Sequence, residues 1–372
     1  MSSRILITGG AGFIGSHLAD ELLLHGYRVR VLDSLSPQVH GAEGGRPIYL
    51  DPDVELRVGD VRDPATLRQA LTGVEAVYHF AASVGVGQSM YRVADYCSVN
   101  DLGTAVLLEG LLQHPVRKLI VASSMSIYGE GLYQDSKGMV YERVERTLEQ
   151  LKAGDWEPRN ADGEALMALP TPETKVPSLA SVYALSKYTQ ERMSLLIGKA
   201  YSIPTVALRF FNVYGPRQAL SNPYTGVLAI FASRILNGNP PLIYEDGRQK
   251  RDFVSVHDVA KACRFALETI EAAGCIFNVG SGCEYSVLEI ARAVAKVLGE
   301  DQLGPEISGR YRMGDIRRCF ADLGLVRKVL HFEPRVMLED GLVELADWLE
   351  QQVAVDRVAE AGAELEIRGL TV

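Results

Sequence analysis

Short apolar runs alternate with longer amphipathic segments in the first third of the chain. The strand-like runs are "RILIT", "RVRVLD", "VELRVGD", "AVYHFAA" and "KLIVASS". The helix-like segments between them cover residues 14–25, 64–72 and 91–113. Strands that alternate with helices indicate right-handed βαβ units around a parallel sheet. The pattern therefore predicts an α/β fold with a doubly wound parallel sheet.

The alternation stops at about 130–178, where the sequence is polar and interrupted by Pro and Gly. One stretch in this region, "VYERVERTLEQLKAG" at 140–154, has a helical pattern. After it we predict a helix from Ser181 to about Tyr201, then a strand, "TVALRFFNVYG". Apolar positions in "LEDGLVELADWLEQQ" recur at helical spacing and predict a final amphipathic helix.

These changes of pattern divide the chain into a nucleotide-binding domain, an insertion, a smaller C-terminal α/β substrate domain and a tail. The predicted boundaries are 1–130 with 173–216 for the first domain, 131–172 for the insertion, 217–350 for the substrate domain and 351–372 for the tail. Part of 250–262 is expected to return to the first domain. The Ala/Glu-rich tail itself predicts no structure.

Composition narrows the functional classes. The chain has 372 residues, of which 47% are hydrophobic, enough for two lobes with large cores. It has no signal-like N-terminus and no apolar run approaching the ~20 residues of a membrane span, so we expect a soluble cytoplasmic protein. Five cysteines without a close pair predict reduced thiols and no zinc site. A net charge of −9 argues against nucleic-acid binding.

The first predicted strand runs into a glycine-rich turn, "TGGAGFIGSH". Gly9, Gly12 and Gly15 let the backbone approach a pyrophosphate at the start of a helix. Asp33 ends the second strand, where an acid accepts hydrogen bonds from the ribose of adenosine. No Arg or Lys lies among the next six residues to bind a 2′-phosphate. The segment predicts a Rossmann-type sheet that binds NAD rather than NADP.

A tyrosine and a lysine stand four residues apart in "SVYALSKYTQE". At the start of a helix, Tyr183 and Lys187 share one face. A free tyrosine has a pKa of about 10, and a nearby ammonium group favours its phenolate. Tyr183 can therefore serve as a general base on a sugar hydroxyl. By itself, a tyrosine and a lysine at this spacing are more often two surface side chains. The glycine turn and the serine-rich strand elsewhere in the sequence strengthen the catalytic interpretation.

Eight motifs in order resemble the extended short-chain dehydrogenase/reductases of the nucleotide-sugar epimerase/dehydratase family. They cover nearly all of residues 4–350 and are "TGGAGFIGSH", "HFAA", "SSMSIYG", "YALSK", "RFFNVYGPRQ", "RDFVSVHDVA", "NVGSG" and "RMGDIRR". The resemblance implies a nucleotide-diphosphate sugar as substrate, most commonly a UDP-sugar. It also implies a homodimer formed through the helices at about 91–113 and 181–200.

The resemblance also implies roles for individual residues. NAD would contact the glycine turn, Asp33, Tyr183 and Lys187, together with Phe13, Ile14, Asp60, Val61, Phe80, Ala81, Ala82 and Asn100. The substrate would contact Val86, Ser124, Ser126, Asn212, Arg251, Arg312 and Asp315. Of these, Asn212 and the two arginines would hold the diphosphate, for which the planar guanidinium is well suited.

The residues after Ser124 bear on the reaction. By the resemblance, Ser124 shares the hydrogen bond of the substrate hydroxyl with Tyr183, and relatives that dehydrate or decarboxylate carry acids at one or both of the next two positions. Here those positions are Met125 and Ser126, neither of which is an acid or base near neutral pH. The reaction that remains possible is the removal and return of a hydride at a single carbon. In the family that the chain resembles, inversion at C4 is the standard case of this reaction.

Several alternatives stay open. The insertion could be a lid over the sugar pocket, or a surface or dimer decoration, and without Cys or His it should bind no zinc. It could instead supply bases for C3 or C5 epimerisation, for which Tyr133, Asp135 and Glu142 are available. A dehydratase, a net oxidoreductase with NAD turnover and a non-catalytic NAD-sensing protein are the other hypotheses.

Overall fold

The computed structural model describes residues 3–41, 44–224, 226–312, 314–352 and 354–371. The strands are β1 (Arg4–Thr8), β2 (Arg28–Asp33), β3 (Glu55–Val58), β4 (Ala76–His79), β5 (Lys118–Ser124), β6 (Leu132–Gln134), β7 (Val140–Tyr141), β8 (Met167–Leu169), β9 (Thr205–Phe210), β10 (Asn212–Tyr214), β11 (Leu242–Ile243), β12 (Lys250–Arg251), β13 (Phe253–Ser255), β14 (Ile276–Val279), β15 (Tyr285–Ser286), β16 (Glu306–Ile307) and β17 (Arg318–Cys319).

The helices include those predicted at 14–25, 64–72 and 91–113. They are α1 (Phe13–Leu24), α2 (Pro37–His40), α3 (Pro64–Leu71), α4 (Val86–Ser89), α5 (Val93–Tyr96), α6 (Gly103–Gln113), α7 (Leu148–Lys152), α8 (Val182–Ala200), α9 (Val227–Leu236), α10 (Val256–Glu268), α11 (Val287–Val297), α12 (Gly324–Leu330), α13 (Leu338–Leu349) and α14 (Val358–Ile367). A π-helical turn, Cys97–Leu102, makes α5 and α6 continuous. The predicted helices at 181–201 and in the 338–352 segment are confirmed.

A seven-stranded parallel sheet, in the order β14-β9-β5-β4-β1-β2-β3, confirms the predicted fold class. Both faces of this sheet are covered, as is usual for parallel sheets. Ile5 and Ile7 of β1 belong to one buried cluster, and Leu6 between them belongs to another on the opposite face. The order in which successive strands are added reverses between β1 and β4, and ligands of such folds bind at this switch point.

The substrate-side half packs around a separate apolar cluster. Helices α9, α11 and α13 bury their apolar sides together there, with Phe253 of β13 among them. The capping box at the start of α11, in which Ser286 and Glu289 bond reciprocally, marks where that helix begins. Among the described residues, no helix is both long enough and apolar enough to cross a membrane.

Three predictions need correction. The 140–154 stretch is not one helix, because Val140–Tyr141 pairs with β6 and only Leu148–Lys152 is helical. The single strand predicted at 205–215 is two, because β9 lies in the main sheet while β10 pairs with β13. Residues 276–279 were assigned to the substrate domain, but they form β14 at the edge of the main sheet, beside β9.

Candidate active site

A cavity of about 560 Å³ opens at the carboxyl ends of the parallel strands, around the switch point. Thirteen of the fourteen residues predicted to bind the cofactor line it. They are Gly9, Gly12, Phe13, Ile14, Gly15, Asp33, Asp60, Val61, Phe80, Ala81, Ala82, Tyr183 and Lys187. The predicted cofactor residues are therefore neighbours in space.

The glycine turn is packed tightly against the end of β4. Gly9 has φ +70°, and a Cβ there would lie 2.7 Å from the amide nitrogen of Ala81. Any other residue at Gly9 would push these two loops apart, since the close neighbours are backbone atoms. The turn delivers the chain to the N-terminus of α1, whose first residues face the cavity.

Asp33 is buried at the end of β2 and organises this turn. Its Oδ2 accepts a hydrogen bond from Ala11 N at 3.0 Å, and its Oδ1 accepts one from Leu35 N at 2.9 Å. A carboxylate oxygen can accept two hydrogen bonds, so each oxygen retains capacity for a ribose hydroxyl. The glycine turn, the helix N-terminus and this carboxylate fit a dinucleotide, the pyrophosphate at the helix and a ribose at Asp33.

Asn100 is the exception among the predicted cofactor residues. It is fully buried and does not line the cavity. Its Oδ1 accepts from Ser83 N at 2.7 Å, and its Nδ2 donates to Ser83 O at 3.1 Å and to Ser186 Oγ at 2.9 Å. Asn100 therefore ties the loop after β4 to α8 from behind the cavity wall, and its contact with the cofactor stays a prediction.

Three serine hydroxyls lie at the end of β5 and just after it. Ser123 lines the cavity, and its Oγ donates to the carboxylate of Glu191 at 2.7 Å. Ser126 donates to Ser124 Oγ twice, from its amide at 3.1 Å and from its hydroxyl at 2.9 Å. Since these bonds use both acceptor positions of Ser124 Oγ, its own proton is free to be donated. Ser126 does not line the cavity and acts through Ser124.

Tyr183 stands at the first turn of α8, opposite Ser124. The side chain of Ser181 caps this helix, and Tyr183 N donates to Ser89 Oγ at 3.0 Å, which fixes the position of the turn. Burial raises the pKa of Tyr183, and the hydrogen bond with Ser124 acts in the opposite direction. A hydrogen bond donated to the phenolic oxygen stabilises the phenolate, so Ser124 favours the basic form of Tyr183.

Lys187 lies one turn further along α8 and is 4% exposed. Burial lowers its pKa to about 7. Its Nζ donates to Oε1 of Gln190 at 2.9 Å. We had not predicted a role for Gln190, although its position three residues after Lys187 on the same helix was a usable signal.

The Gln190 amide belongs to a buried network in which its own orientation can be assigned. Thr104 Oγ1 donates to Asn100 O, so it must accept from Nε2 of Gln190 at 2.9 Å. Nε2 of His79 lies 2.9 Å from Thr104 Oγ1 and 3.3 Å from Nε2 of Gln190, and Nδ1 of His79 lies 2.8 Å from Thr8 Oγ1. Burial lowers the pKa of His79 to about 3, so the ring is neutral near pH 7 and the network holds no mobile charge.

The predicted substrate residues fall into two groups. Ser124 and Asn212 line the cavity, and Oδ1 of Asn212 is buried with no partner among the described residues, so it is available to a ligand. Val86 does not line the cavity and is 43% exposed, while Gln88 two residues later does line it. Val86 begins the short helix α4, and its contact with the substrate stays a prediction.

Arg251, Arg312 and Asp315 lie outside the lining of the cavity. Arg251 donates to the carbonyls of Lys250 and Arg317, at 2.9 and 3.3 Å. Arg312 pairs with Asp315 at 3.2 Å, and its guanidinium lies 4.3 Å from the ring centroid of Tyr244. The structure brings the last two together, but it does not bring these three residues to the cavity wall.

The insertion does not cover the cavity, since none of residues 131–172, all of them described, lines it. It forms a small antiparallel sheet, in the order β7-β6-β8, over its own apolar cluster. Of the two alternatives left open for this segment, the arrangement favours a surface or dimer decoration over a lid. The suggested bases are also engaged or remote: Tyr133 donates to Glu130, Asp135 accepts from Tyr141, and Glu142 is exposed.

Buried ion pairs join the insertion to the segment that carries Asp315. Arg146, 4% exposed in its side chain, bonds Glu245 at 2.7 Å and donates to Asp315 O at 2.6 Å. Arg317, 1% exposed, bonds Glu157 at 2.6 Å and also Glu245. We name these four charged residues, Arg146, Glu157, Glu245 and Arg317, the insertion ion cluster. No sequence spacing predicts it, because its members are far apart along the chain.

The sequence matches the model of the NAD dependent epimerase/dehydratase family over residues 5–149 and 162–280. The unmatched residues 150–161 fall within the insertion. The chain is 36% identical over 355 residues to the dTDP-L-rhamnose 4-epimerase of Burkholderia thailandensis, covering 94% of this chain and 96% of that protein.

Two solved structures are similar over nearly their whole length. UDP-glucose 4-epimerase from Thermus thermophilus in complex with NAD superposes with a TM-score of 0.74 at 32% identity, covering 94% of this chain and 100% of that one. UDP-glucose 4-epimerase from Thermotoga maritima with UDP-glucose superposes with a TM-score of 0.76 at 30% identity, covering 94% and 99%.

Proposed function

Because this chain belongs to the NAD-dependent epimerase/dehydratase family, we propose that it inverts C4 of a nucleotide-diphosphate sugar through a transient 4-keto sugar. Two observations together carry the proposal. The residues needed for hydride transfer at one carbon share a cavity, and the two positions after Ser124 carry no acid or base. Ser124, Tyr183 and Lys187 face one cavity, while Met125 and Ser126 offer no acid or base for chemistry at a neighbouring carbon.

NAD is the cofactor of this enzyme, and when bound it takes up and returns the C4 hydride. The protein's own contribution is to hold and orient it. The amides at the start of α1 suit the pyrophosphate, and Asp33 suits the adenosine ribose. Tyr183 and Lys187 stand at the strand ends further along the same cavity, where the nicotinamide end would lie.

The residues of the site divide the proton chemistry among them. Tyr183 takes the proton of the 4-hydroxyl as the hydride leaves C4, and gives it back when the hydride returns to the other face. Ser124 donates a hydrogen bond to the Tyr183 oxygen and so stabilises the phenolate between these steps. Lys187 places a cation one helical turn away, which favours the same phenolate. Inversion requires the keto sugar to turn about its diphosphate before the hydride returns.

We propose a UDP- or dTDP-sugar as the substrate. The free Oδ1 of Asn212 supports a polar ligand at this end of the cavity. The names of the similar epimerases include both a uridine and a thymidine carrier, UDP-glucose and dTDP-L-rhamnose. Titrating the protein with UDP-, dTDP-, GDP- and CDP-sugars and measuring the thermal shift would separate the carriers directly.

Solvent deuterium separates C4 inversion from its alternatives. Internal return of the hydride leaves product made in D₂O without carbon-bound deuterium, whereas C3 or C5 epimerisation and dehydration exchange a carbon-bound proton. A net oxidoreductase would change the absorbance of NADH with every turnover. We expect neither deuterium in the product nor net NADH, and either one would refute the C4 proposal.

The Tyr183→Phe variant tests the catalytic assignment against the binding-protein alternative. We expect it to keep NAD and lose turnover by about a thousandfold or more, because the general base is removed. Full activity in this variant would contradict the mechanism. A wild-type protein that binds NAD but turns over no nucleotide sugar would favour the sensor.

We also propose a homodimer in the cytoplasm. Leu102, Leu185 and Leu196 are 52%, 50% and 60% exposed on the two helical runs expected to form the contact. Leu196→Glu should convert the dimer to a monomer in light scattering, while Leu24→Glu, at an 80% exposed site of α1, should not.

The proposed cytoplasmic location is supported by the surface thiols Cys97 and Cys283, which suit a reducing compartment.

A further inference from the structure

The C-terminal segment, residues 354–371, is anchored first on the substrate-binding half. Nδ2 of Asn237, after α9, donates to Ala354 O at 2.9 Å. Arg234 of α9 lies 3.4 Å from the carboxylate of Asp356. The segment therefore leaves α13 and is held at the end of α9 before it turns into α14.

The next part of the segment, helix α14, packs against residues 86–91 of the nucleotide-binding half. Ala361 and Leu365, one turn apart, are its buried residues, at 8% and 4% exposure. A Cβ at Gly87 would lie only 3.2 Å from Cδ2 of Leu365, so the leucine sits directly against that glycine. Arg368 places its guanidinium 4.3 Å from the ring centroid of Tyr91.

The far end of the segment returns to the substrate-binding half, at the segment that carries Arg312. Glu366 pairs with Arg310 at 2.8 Å. Thr371, 6% exposed, forms an antiparallel backbone bridge with Arg312. Residues 310–312 are thus held from outside by the last turns of the chain.

The C-terminal segment thus contacts both halves of the protein, close to residues that line the cavity. Gln88, next to Gly87, lines the cavity, and so does Tyr224 from the other half. The hydroxyls of Tyr91 and Tyr224 are 2.6 Å apart, which joins the two halves directly beneath Arg368.

We propose that the C-terminal segment braces the substrate site from outside the cavity, and that Leu365 is a positioning residue that seats α14 and thereby holds Arg312 for the substrate diphosphate. The inference rests on the proposed function, because the role of Arg312 does. It explains why a tail with no recognisable pattern contains a buried leucine and a buried threonine.

The test compares two alanine variants of the same helix. Leu365→Ala removes the buried anchor, while Ile367→Ala, at an 82% exposed position, is the matched control. Titration with UDP and with dTDP should show about tenfold weaker binding for Leu365→Ala and wild-type binding for Ile367→Ala. With a nucleotide sugar that is turned over, KM should rise by the same factor, while kcat changes less than about twofold. Bound NAD should be equal in all three proteins, and Leu365→Met should restore the affinity.

Hydrogen exchange of the wild-type protein supplies a readout independent of the variants. Amides of residues 358–371 should exchange more slowly when UDP or dTDP is bound. Equal exchange with and without these ligands would overturn the inference, and so would wild-type affinity in Leu365→Ala or equal weakening in both alanine variants. If the wild-type protein bound neither nucleoside diphosphate, the proposed function itself would fail, and this inference with it.

Discussion

Replacing Gln190 with Met removes the acceptor of the Lys187 ammonium while keeping a side chain of nearly the same length. The hydrogen bond is 2.9 Å long, and its partners are 0% and 4% exposed, so water does not replace it. The reverse orientation of the amide is excluded by Thr104, which must accept from Gln190. The variant therefore loses the hydrogen bond that stabilises the charged form of Lys187.

The size of the effect follows from the environment of this bond. A hydrogen bond to a charged group contributes about 1.5–3 kcal/mol, and one pKa unit corresponds to about 1.4 kcal/mol. The pKa of Lys187, about 7 in the native protein, should therefore fall by about one to two units. At neutral pH the lysine would then be mostly uncharged, and the phenolate of Tyr183 would lose the cation that favours it. We expect kcat to fall about tenfold or more.

The pH dependence of kcat across the neutral range is the decisive measurement. Gln190→Glu should shift the profile in the opposite direction, because a carboxylate raises the pKa of a neighbouring ammonium. Ser194→Ala is the control, since Ser194 is buried on the same helix and its Oγ has no partner among the described residues. A wild-type profile in Gln190→Met, or an equal loss in Ser194→Ala, would refute the reasoning.

Three further outcomes follow from the structure. Ser126→Ala should lower kcat about tenfold with unchanged NAD content, because the catalytic serine is no longer held as a donor; single-turnover kinetics would check this. Arg146→Met should destabilise the protein by about 3 kcal/mol in urea unfolding, since buried Glu245 then keeps only Arg317 as an ion-pair partner among the described residues and Glu130 loses an ion-pair partner at 3.4 Å, whereas the same change at exposed Arg143 should have little effect. Burial lowers the pKa of His17 and of His79 to about 3 from 6.5, so only the unfolded chain takes up these protons between those pH values. The free energy of unfolding should then fall on acidification by up to about 1.4 kcal/mol per pH unit for each histidine, and an unchanged slope in His79→Asn would contradict this.

The order of elements and the nucleotide site could be predicted because both depend on local patterns. Alternating apolar runs gave β1 to β5 with their helices, and the glycine turn is contiguous in sequence. The helix predicted at 140–154 failed because tertiary contacts override its periodicity. Its Tyr141 joins a strand pair, and its Arg146 enters the insertion ion cluster.

Parts of the site that depend on distant residues could not be predicted. Arg146 and Glu245 are 99 positions apart, and no spacing rule links them. Arg251 has the residue type expected for a diphosphate, and no local pattern predicts that its Nη1 donates to two backbone carbonyls. The packing of the tail could not be predicted either, because a single buried leucine in an Ala/Glu-rich helix leaves almost no periodic signal.

The break between β9 and β10 has a consequence for how sequences of this kind can diverge. Phe210 is hydrogen-bonded in the main sheet and Asn212 in the pair with β13, so Phe211 alone spans the change of sheet. Because extended chains alternate faces with every residue, one inserted or deleted amino acid here would turn Asn212 away from the cavity. The number of residues across 208–214 should therefore be invariant even where the side chains differ. Insertions and deletions that alter sugar preference should instead accumulate in the irregular loop after Gly215.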